Sequence, residues 1–401
     1  MSYTPPKDRI ISIDVLRGIA VLGILIMNIQ NFSMIGAAYM NPSAYGDITG
    51  INKWVWILSH ILADFKFISI FSILFGAGIL LFMERAKKRS GHYTGLHYWR
   101  NTLLLFFGLI HAYFIWAGDI LVAYSLCGFF VFIFRNKSVT TLLILSGVFF
   151  IIPILLYSFS GWSVPFWPEE SYQDTLKGWA PAQDMITKEI NSVTGSWMEQ
   201  LKHRATIAFS MQTFIFFYMV FWRVTSMMLL GMALYKSNVL SALRSKAFYT
   251  KLIVIGLCIG YLLIILGINF NFKQDWDMQQ SMFFGVLFNY TGSAAVALAY
   301  IAIVMLISRS SSFKGFNTTM AKVGKMAFSN YILTSVICYF IFSGTGFSLF
   351  GKIERWEQIL FTIGIWLVLI IFTNLWLRKY QLGPLEWFWR RLTYLRGFKK
   401  Q

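Results

Sequence analysis

The chain is short of charge. Only 13% of its 401 residues are Asp, Glu, Lys or Arg, against about a quarter in a soluble domain, while 57% are hydrophobic. This leaves too little polar surface to cover a water-soluble globule, so lipid must replace part of the solvent. Acidic residues are scarcer than basic ones, 17 against 35, and the formal net charge is +18. The basic residues lie in short stretches between apolar runs, which indicates membrane topology and argues against nucleic-acid binding.

Cysteines and catalytic signatures are also rare. Cys127, Cys258 and Cys338 lie far apart inside apolar runs, so the sequence predicts neither disulfides nor a metal site. It has no phosphate-loop motif, no Gly-x-Gly-x-x-Gly after a strand, no His-Glu-x-x-His and no Gly-x-Ser-x-Gly. The sequence therefore gives no support for an ATPase of the phosphate-loop type, a zinc protease or a serine hydrolase with a nucleophile elbow. The first apolar stretch runs past Asn28 without a small-residue cleavage site, so we expect a retained span.

Apolar runs long enough to cross a bilayer recur along nearly the whole chain. A crossing needs about 20 apolar residues. The sequence predicts an all-α, polytopic membrane bundle that forms a single domain of about ten transmembrane helices. The predicted spans are 10–32, 54–83, 101–117, 119–134, 139–159, 212–235, 252–270, 282–307, 326–347 and 357–377. The second is long for one crossing, which indicates a strong tilt or an interfacial turn at its start.

Basic residues favour one side of this bundle. If the N-terminus is inside, the cytoplasmic pieces are 1–9, 84–100, 135–138, 236–251, 308–325 and 378–401. They hold 24 Lys and Arg, and the outer loops hold 8. Cytoplasmic loops carry an excess of these residues, so we predict that both ends are cytoplasmic.

Two polar segments lie outside the predicted spans. The segment 160–204 contains six acidic residues and predicts an extracytoplasmic cap, too short for a substantial core of its own. The C-terminal piece 378–401 mixes aromatic residues with cations. It predicts an amphipathic tail on the anionic lipids of the inner leaflet.

Ionisable side chains inside spans cost about 2.5–3.5 kcal/mol each on insertion scales and are functional candidates by default. The candidates are Asp14, Arg17, His60, Asp64, Lys66, His111, Asp119 and Arg223. Asp14 and Arg17 are three residues apart and share a helix face, which fits either a structural ion pair or an anion site reached from the cytoplasm. Gly18 would permit a close helix contact beside them, and Asn28 is most simply an interhelical hydrogen-bonding group.

The histidines suggest acid–base chemistry. His60 and Asp64 are four apart, so a carboxylate could orient the imidazole as a general base, or the two could form a packing pair. His111 and Asp119 lie in one predicted hairpin, where Asp119 could instead cap the next helix. Four candidates from four predicted spans fall in the outer half of the bilayer: His60, His111, Asp119 and Arg223. Their common depth suggests a polar cavity open to the outside.

Five ordered motifs together resemble one family. They are Ile13-Asp-Val-Leu-Arg-Gly-Ile-Ala-Val-Leu-Gly-Ile-Leu-Ile-Met-Asn28, Phe67-Ile-Ser-Ile-Phe-Ser-Ile-Leu-Phe-Gly-Ala-Gly78, the hairpin from His111 to Leu121, Met326-Ala-Phe-Ser-Asn-Tyr331 and Gly383-Pro-Leu-Glu-Trp-Phe-Trp-Arg390. The chain resembles the bacterial YeiB-like proteins, a family defined by a domain of unknown function, over almost its entire length. That family is similar in its first spans to transmembrane acyltransferases of the heparan-α-glucosaminide N-acetyltransferase and acyltransferase-3 types.

The resemblance implies a multi-pass protein of the bacterial plasma membrane that passes an acyl group from cytoplasmic acyl-CoA to a small-molecule or cell-envelope acceptor outside. It implies acyl-CoA contacts at Asp14, Arg17 and Lys66. The catalytic candidates are His60, Asp64, His111 and Asp119, and the candidates for acceptor binding are Asn28, Arg223, Asn330 and Tyr331. This chain has Asn28 where acyltransferase-3 enzymes carry a His, so the identity of the base stays open. A transporter, a non-catalytic sensor or assembly partner, and an oligomer also stay open.

Overall fold

The computed structural model describes residues 10–90 and 93–395, with only the backbone of residues 89 and 90. The predicted cytoplasmic segment 1–9 and the tail residues 396–401 lie outside the described residues. Within them the chain is helical and contains no β-strand, which confirms the all-α prediction. The α-helices are α1 (Ile11–Gly23), α2 (Leu25–Ser33), α3 (Ala37–Met40), α4 (Gly50–Leu62), α5 (Lys66–Ser90), α6 (Tyr93–Phe114), α7 (Leu121–Val131), α8 (Val139–Ser163), α9 (Glu169–Trp179), α10 (Gln183–Thr194), α11 (Trp197–Gln212), α12 (Phe221–Lys236), α13 (Lys246–Lys273), α14 (Val286–Arg309), α15 (Lys314–Lys325), α16 (Ala327–Phe342), α17 (Arg355–Lys379) and α18 (Pro384–Leu395).

Seven helical segments of the described chain are long and apolar enough to cross a membrane. They are Ile11–Ser33, Gly50–Lys88, Val139–Phe166, Trp197–Lys236, Lys246–Lys273, Met278–Arg309 and Arg355–Lys379. They contain seven of the ten predicted spans. The other three, 101–117, 119–134 and 326–347, correspond to α6, α7 and α16. Of these, α7 and its 3₁₀ continuation (Phe132–Phe134) are short, and α16 joins α15 in a helix pair bent by 77°.

Exposed apolar side chains follow single faces of the long outer helices. On α8 the exposed residues Ile144, Val148, Ile151, Leu155 and Phe159 recur every three or four positions. α13 and α17 have comparable exposed apolar faces. Large contiguous apolar surface of this kind needs an apolar solvent. These faces therefore identify the chain as a helical membrane protein.

The centre of the bundle is formed by α1 and α2, which pack against α5 and α14 to α17. Gly18 lies directly on the backbone of Met320 in α15, and Gly324 of α15 lies on the backbone of Asp14. A Cβ atom at either glycine would collide with that backbone, so the two helices can approach this closely only where side chains are absent. The predicted close contact at Gly18 is confirmed.

The second predicted span, 54–83, is interrupted by a sharp turn that lies inside it and not at its start. α4 ends at Leu62 and α5 begins at Lys66, with Phe65 between them at φ +60°. His60 and Asp64 therefore do not share one continuous helix. The turn nonetheless brings them into contact.

The segment predicted as a cap is helical. α8 continues to Ser163, and α9, α10 and α11 follow it. The Glu189 carboxylate accepts a hydrogen bond from the Gly36 amide at 2.9 Å, and Tyr339 donates to Gln200 at 2.6 Å. These contacts hold α10 and α11 against the ends of α2 and α16.

Candidate functional site

A cavity of about 420 Å³ opens between helices α1, α5, α6, α7, α15, α16 and α18. Along α5 it extends from Arg85 to Phe71, a separation of fourteen positions. At about 1.5 Å per residue this corresponds to roughly 21 Å, more than half of a hydrocarbon core about 30 Å thick. The cavity is therefore a deep channel and not a surface dimple.

One end of the cavity is cationic. The cations that line it are Arg17, Arg85, Arg100, Lys325 and Arg390. The lining has one carboxylate, Glu386, which accepts hydrogen bonds from the amides of Phe328 and Ser329 at 2.8 and 3.1 Å. Burial raises the pKa of the Glu386 carboxyl. Glu386 thus serves the first turn of α16, and cations outnumber carboxylates in the lining at this end.

The C-terminal helix forms one wall of the cavity. Trp389 of α18 donates its indole N–H to the Arg100 carbonyl at 3.1 Å, and Trp99 of α6 donates to the Leu392 carbonyl at 3.2 Å. The Arg100 guanidinium lies between the rings of Phe82 and Trp389, at 4.6 and 4.3 Å from their centroids. Cation–π contacts fix the position of a guanidinium without neutralising its charge.

The opposite end of the cavity is apolar and aromatic, and reaches Ile120, Leu121, Tyr124 and Tyr331. The Tyr331 hydroxyl oxygen accepts a hydrogen bond from the Ile120 amide at 3.3 Å. Its ring lies 5.0 Å from that of His111. The cavity thus ends beside a histidine that the sequence marked as a catalytic candidate.

His111 and Asp119 form a buried pair, with His111 Nδ1 2.7 Å from Asp119 Oδ1. Both side chains are 1% exposed. The second carboxylate oxygen accepts a hydrogen bond from the Val122 amide at 2.7 Å. Asp119 therefore caps α7, as the capping alternative predicted, and orients the imidazole at the same time.

The chemistry of the pair follows from its geometry. A carboxylate next to Nδ1 favours the tautomer with the proton on Nδ1, which leaves a lone pair on Nε2. That Nε2 atom is buried and makes no hydrogen bond within the described residues. An unpaired buried nitrogen is costly unless it has a use. The pair therefore holds an oriented imidazole whose Nε2 atom has no partner among the described residues.

Contacts from α11 and α2 hold the hairpin that carries His111 and Asp119. Arg204 of α11 donates from Nε to the Tyr113 carbonyl at 2.9 Å, and its Nη1 lies 3.5 Å from the Ile115 carbonyl. Trp116 donates to Asn31 at 3.1 Å and stacks on Phe32. These contacts fix the turn between His111 and Asp119.

A second polar cluster surrounds His60 at the α4–α5 turn. His60 Nδ1 lies 3.1 Å from Asp64 Oδ2, and the same carboxylate accepts a hydrogen bond from Asn289 at 2.6 Å. Lys66 is fully buried and donates to Asn289 Oδ1 at 2.9 Å and to the His60 carbonyl at 2.6 Å. Arg223 lies close by, against the Phe65 ring at 4.8 Å.

Arg223 is held by neutral acceptors. It donates to the Tyr290 carbonyl at 2.8 Å and to the hydroxyls of Ser69 and Ser293 at 3.0 and 2.8 Å. No hydrogen bond or ion pair of the described residues joins this cluster to the His111 pair. The structure thus divides His60, His111, Asp119 and Arg223 between two sites instead of gathering them around one pocket.

The remaining predicted site residues also separate. Arg17 lines the cavity and pairs with Asp14 at 3.0 Å, so the predicted ion pair forms. Lys66 lies in the His60 cluster, apart from Arg17, because the α4–α5 turn directs it into the bundle toward Asn289. Asn330 is fully buried and donates to Thr373 at 3.0 Å, which makes it an interhelical contact at the bend. Asn28 is half-buried on α2.

Several site residues had no individual signal in the sequence. Arg85, Arg100, Lys325 and Arg390 counted only as topology charges, and Asn289 was one amide in an apolar run. Of these, only Asn289 could have been singled out from the sequence, because a side-chain amide inside a membrane span usually forms a hydrogen bond with another helix. Among the described residues, no group of three or more His, Cys, Asp or Glu side chains could hold a metal ion.

Comparison with known proteins gives consistent matches. Residues 234–396 match the family described as "Protein of unknown function (DUF418)". The chain is 31% identical over 394 residues to the "Uncharacterized protein YeiB" of Escherichia coli (strain K12), covering 96% of both proteins. It is 31% identical over 414 residues to the "Uncharacterized protein YxaH" of Bacillus subtilis (strain 168), covering 98% of this chain and 96% of the other. The chain therefore belongs to the YeiB-like DUF418 family.

Proposed function

We propose that the protein is a transmembrane acyltransferase that takes an acyl group from acyl-CoA on the cytoplasmic side and transfers it to an extracytoplasmic acceptor. The observation that carries the proposal is one cavity that is cationic at one end and reaches Tyr331, beside the His111–Asp119 pair, at the other. A donor with anionic phosphates and an apolar thioester arm matches this polarity.

The cationic end supports a phosphate-bearing donor. Arg17 and Arg100 come from separate helices, and neither has a described carboxylate partner other than Asp14. Arginine suits phosphate because its planar fork can donate two parallel hydrogen bonds. Lys66, which the sequence offered as a contact for acyl-CoA, does not line the cavity, so the proposal assigns the phosphate contacts to the cations that do.

The His111 pair supports the transfer step. Nε2 of His111 takes the proton of an acceptor hydroxyl or amine while the acceptor oxygen or nitrogen attacks the thioester carbonyl. The C–S bond then breaks, and the CoA sulfur leaves with the proton returned by the imidazolium. Asp119 keeps the imidazole oriented and stabilises its positive charge, while the neutral acyl product remains on the acceptor.

The proposal includes ten crossings, with both ends cytoplasmic, in the bacterial plasma membrane. The 24 Lys and Arg of the predicted inner pieces support this orientation. α7 and its 3₁₀ continuation cover fourteen residues, or roughly 21 Å, less than a full crossing. The His111–Asp119 turn would then lie inside the membrane, below the cap formed by α9 to α11.

Binding of coenzyme A to the purified protein tests the donor site. We expect Arg17→Ala and Arg100→Ala each to weaken binding about tenfold, the effect of losing one charge-assisted hydrogen bond. Lys352→Ala is the matched control, because Lys352 is an exposed cation outside the cavity. Absence of coenzyme A binding by the wild type, or wild-type affinity in both Arg variants, rejects the donor site.

A transporter is the second candidate, and the bent helix pair favours it. α15 and α16 meet at 77° beside the cavity, and broken helices line substrate sites in many transporters. Proteoliposomes separate the two functions. Uptake of an anionic solute without consumption of acyl-CoA supports transport, whereas acyl-CoA-dependent labelling of envelope material supports transfer.

A further inference from the structure

The C-terminal helix α18 has two different faces. Glu386, Trp389, Arg390 and Thr393, spaced three or four residues apart, line the cavity. The opposite face consists of Trp387, Arg391 and Leu395, all exposed. Two further exposed residues flank it: Phe388 contacts the Phe107 ring of α6, and Tyr394 borders the cavity. This spacing is that of an amphipathic helix with one packed stripe and one unpartnered stripe.

The unpartnered stripe carries an aromatic ring, an aliphatic side chain and one cation. Trp387 and Leu395 are 47 and 60% exposed. The Arg391 guanidinium lies 5.3 Å from the Trp387 ring and is exposed. Aromatic rings with adjacent cations are the composition of helices that lie in the headgroup region of an anionic leaflet.

The position of α18 in the chain supplies its partner. α17 is a membrane span that ends at Lys379, and α18 begins at Pro384, only four residues later. A linker of four residues can reach about 14 Å when extended. α18 therefore has to lie at the membrane surface, with basic residues Arg378 and Lys379 beside it.

We propose that α18 is a lid on the cavity and that anionic lipid headgroups hold it in the closed position. Lipid contact on the Trp387–Arg391 face presses the Trp389–Thr393 face onto α6 and α16, which completes the cavity wall. When the lipid contact is lost, α18 swings away from α6 and opens the cationic end. The lid and its lipid partner stand on geometry alone, and only its effect on donor binding rests on the proposed function.

Cysteine labelling of the full-length protein in lipid nanodiscs tests the lid. Thr393→Cys places a thiol on the packed face, where the native side chain is 2% exposed. The background carries Cys258→Ser, since Cys258 is exposed whereas Cys127 and Cys338 are buried. N-Ethylmaleimide is the reagent because it is neutral and is not concentrated or repelled by surface charge.

We expect the thiol at position 393 to react about fivefold faster in phosphatidylcholine discs than in discs that contain phosphatidylglycerol, the effect of one basic residue at an anionic surface. Arg391→Glu should give the fast rate in both discs, and Arg391→Lys the slow rate in phosphatidylglycerol. Phe313→Cys is the control for a general surface effect, because Phe313 is exposed in the short 3₁₀ turn before α15, within the predicted cytoplasmic piece 308–325. Equal rates for position 393 in both lipids, corrected by that control, overturn the lid.

Leu395→Cys provides an independent measurement if the packed-face variant does not fold. It lies on the exposed face, and we expect phosphatidylglycerol to slow its labelling relative to Phe313→Cys. Coenzyme A added to the Thr393→Cys protein separates the two proposals. Lipid-dependent labelling without protection by coenzyme A keeps the lid and rejects the donor site, while protection that is independent of lipid keeps the donor site and rejects the lid.

Discussion

The two His–Asp pairs of this bundle have the same local geometry and different surroundings. In both, a carboxylate oxygen lies within hydrogen-bond distance of Nδ1, at 2.7 Å for His111 and 3.1 Å for His60. Asp119 also accepts a hydrogen bond from the Val122 amide, whereas Asp64 accepts one from Asn289 and has the buried cations Lys66 and Arg223 close by. His60 also stacks on Trp56 at 4.9 Å.

These surroundings indicate different roles. Lys66 and Arg223 near Asp64 balance the charge of the carboxylate that faces His60, so this pair belongs to a buried charged network. The His111 pair has no such cation among its described contacts, and a cavity reaches its neighbour Tyr331. A shared His–Asp motif therefore does not define a catalytic site. The two pairs differ in the charges around them and in how near the cavity lies.

Removal of the imidazole at position 111 should separate the pairs most strongly. We expect His111→Gln to lower acyl transfer from acyl-CoA by about 10²–10⁴, the usual contribution of a general base, with coenzyme A affinity unchanged. His60→Gln is the matched variant and should retain most of the activity. A larger loss in His60→Gln than in His111→Gln would reverse the assignment.

The His60 cluster should instead respond in stability. Lys66→Met removes one member of a buried charged network and leaves Asp64 and Asn289 with fewer partners. The expected loss of unfolding free energy is about 3–5 kcal/mol, measured by thermal unfolding in detergent. Exposed Lys352→Met serves as the control and should have little effect. An unchanged melting temperature in Lys66→Met would show that the cluster is not structural.

The orienting role of Asp119 should produce a smaller, specific effect. Asp119→Asn keeps an oxygen for the Val122 amide, so the cap of α7 survives while the negative charge beside His111 is lost. We expect acyl transfer to fall about 10- to 100-fold, as for other carboxylates that orient a functional imidazole. The fall should be in kcat, with KM for acyl-CoA preserved. A change in KM alone would make Asp119 a structural residue only.

The smallest effect concerns Glu386, at the cationic end of the cavity. Glu386→Gln should change stability by about 1 kcal/mol or less, because an amide oxygen can still accept the Phe328 and Ser329 amides. Burial raises the pKa of this carboxyl above 4.5, so folding favours its protonated form. Wild-type stability should therefore fall relative to Glu386→Gln as pH rises from 4.5 through the raised value. Parallel stability–pH curves for the two proteins would contradict this.

Much of the fold could be predicted from the sequence. The apolar runs identified the helices, because a crossing requires a length that only such runs supply. Asp14 with Arg17 and the cap by Asp119 also followed from short spacing, since residues three or four apart on a helix meet. The bend at Met326 and the short α7 were not predicted. Both depend on packing by distant helices, as when Glu386 of α18 serves the amides that begin α16.

By itself the sequence determined that the protein lies in a membrane, because it has too few charged residues to cover a water-soluble surface. It also identified the candidate site residues, which are the few ionisable groups inside apolar runs. Only the tertiary structure decided which of them meet. Lys66 joined His60 and not Arg17, and Arg100 and Arg390 came to line the same cavity as Arg17. Local spacing fixes neighbours on one helix, whereas the partners of a buried charge depend on how helices distant in sequence pack together.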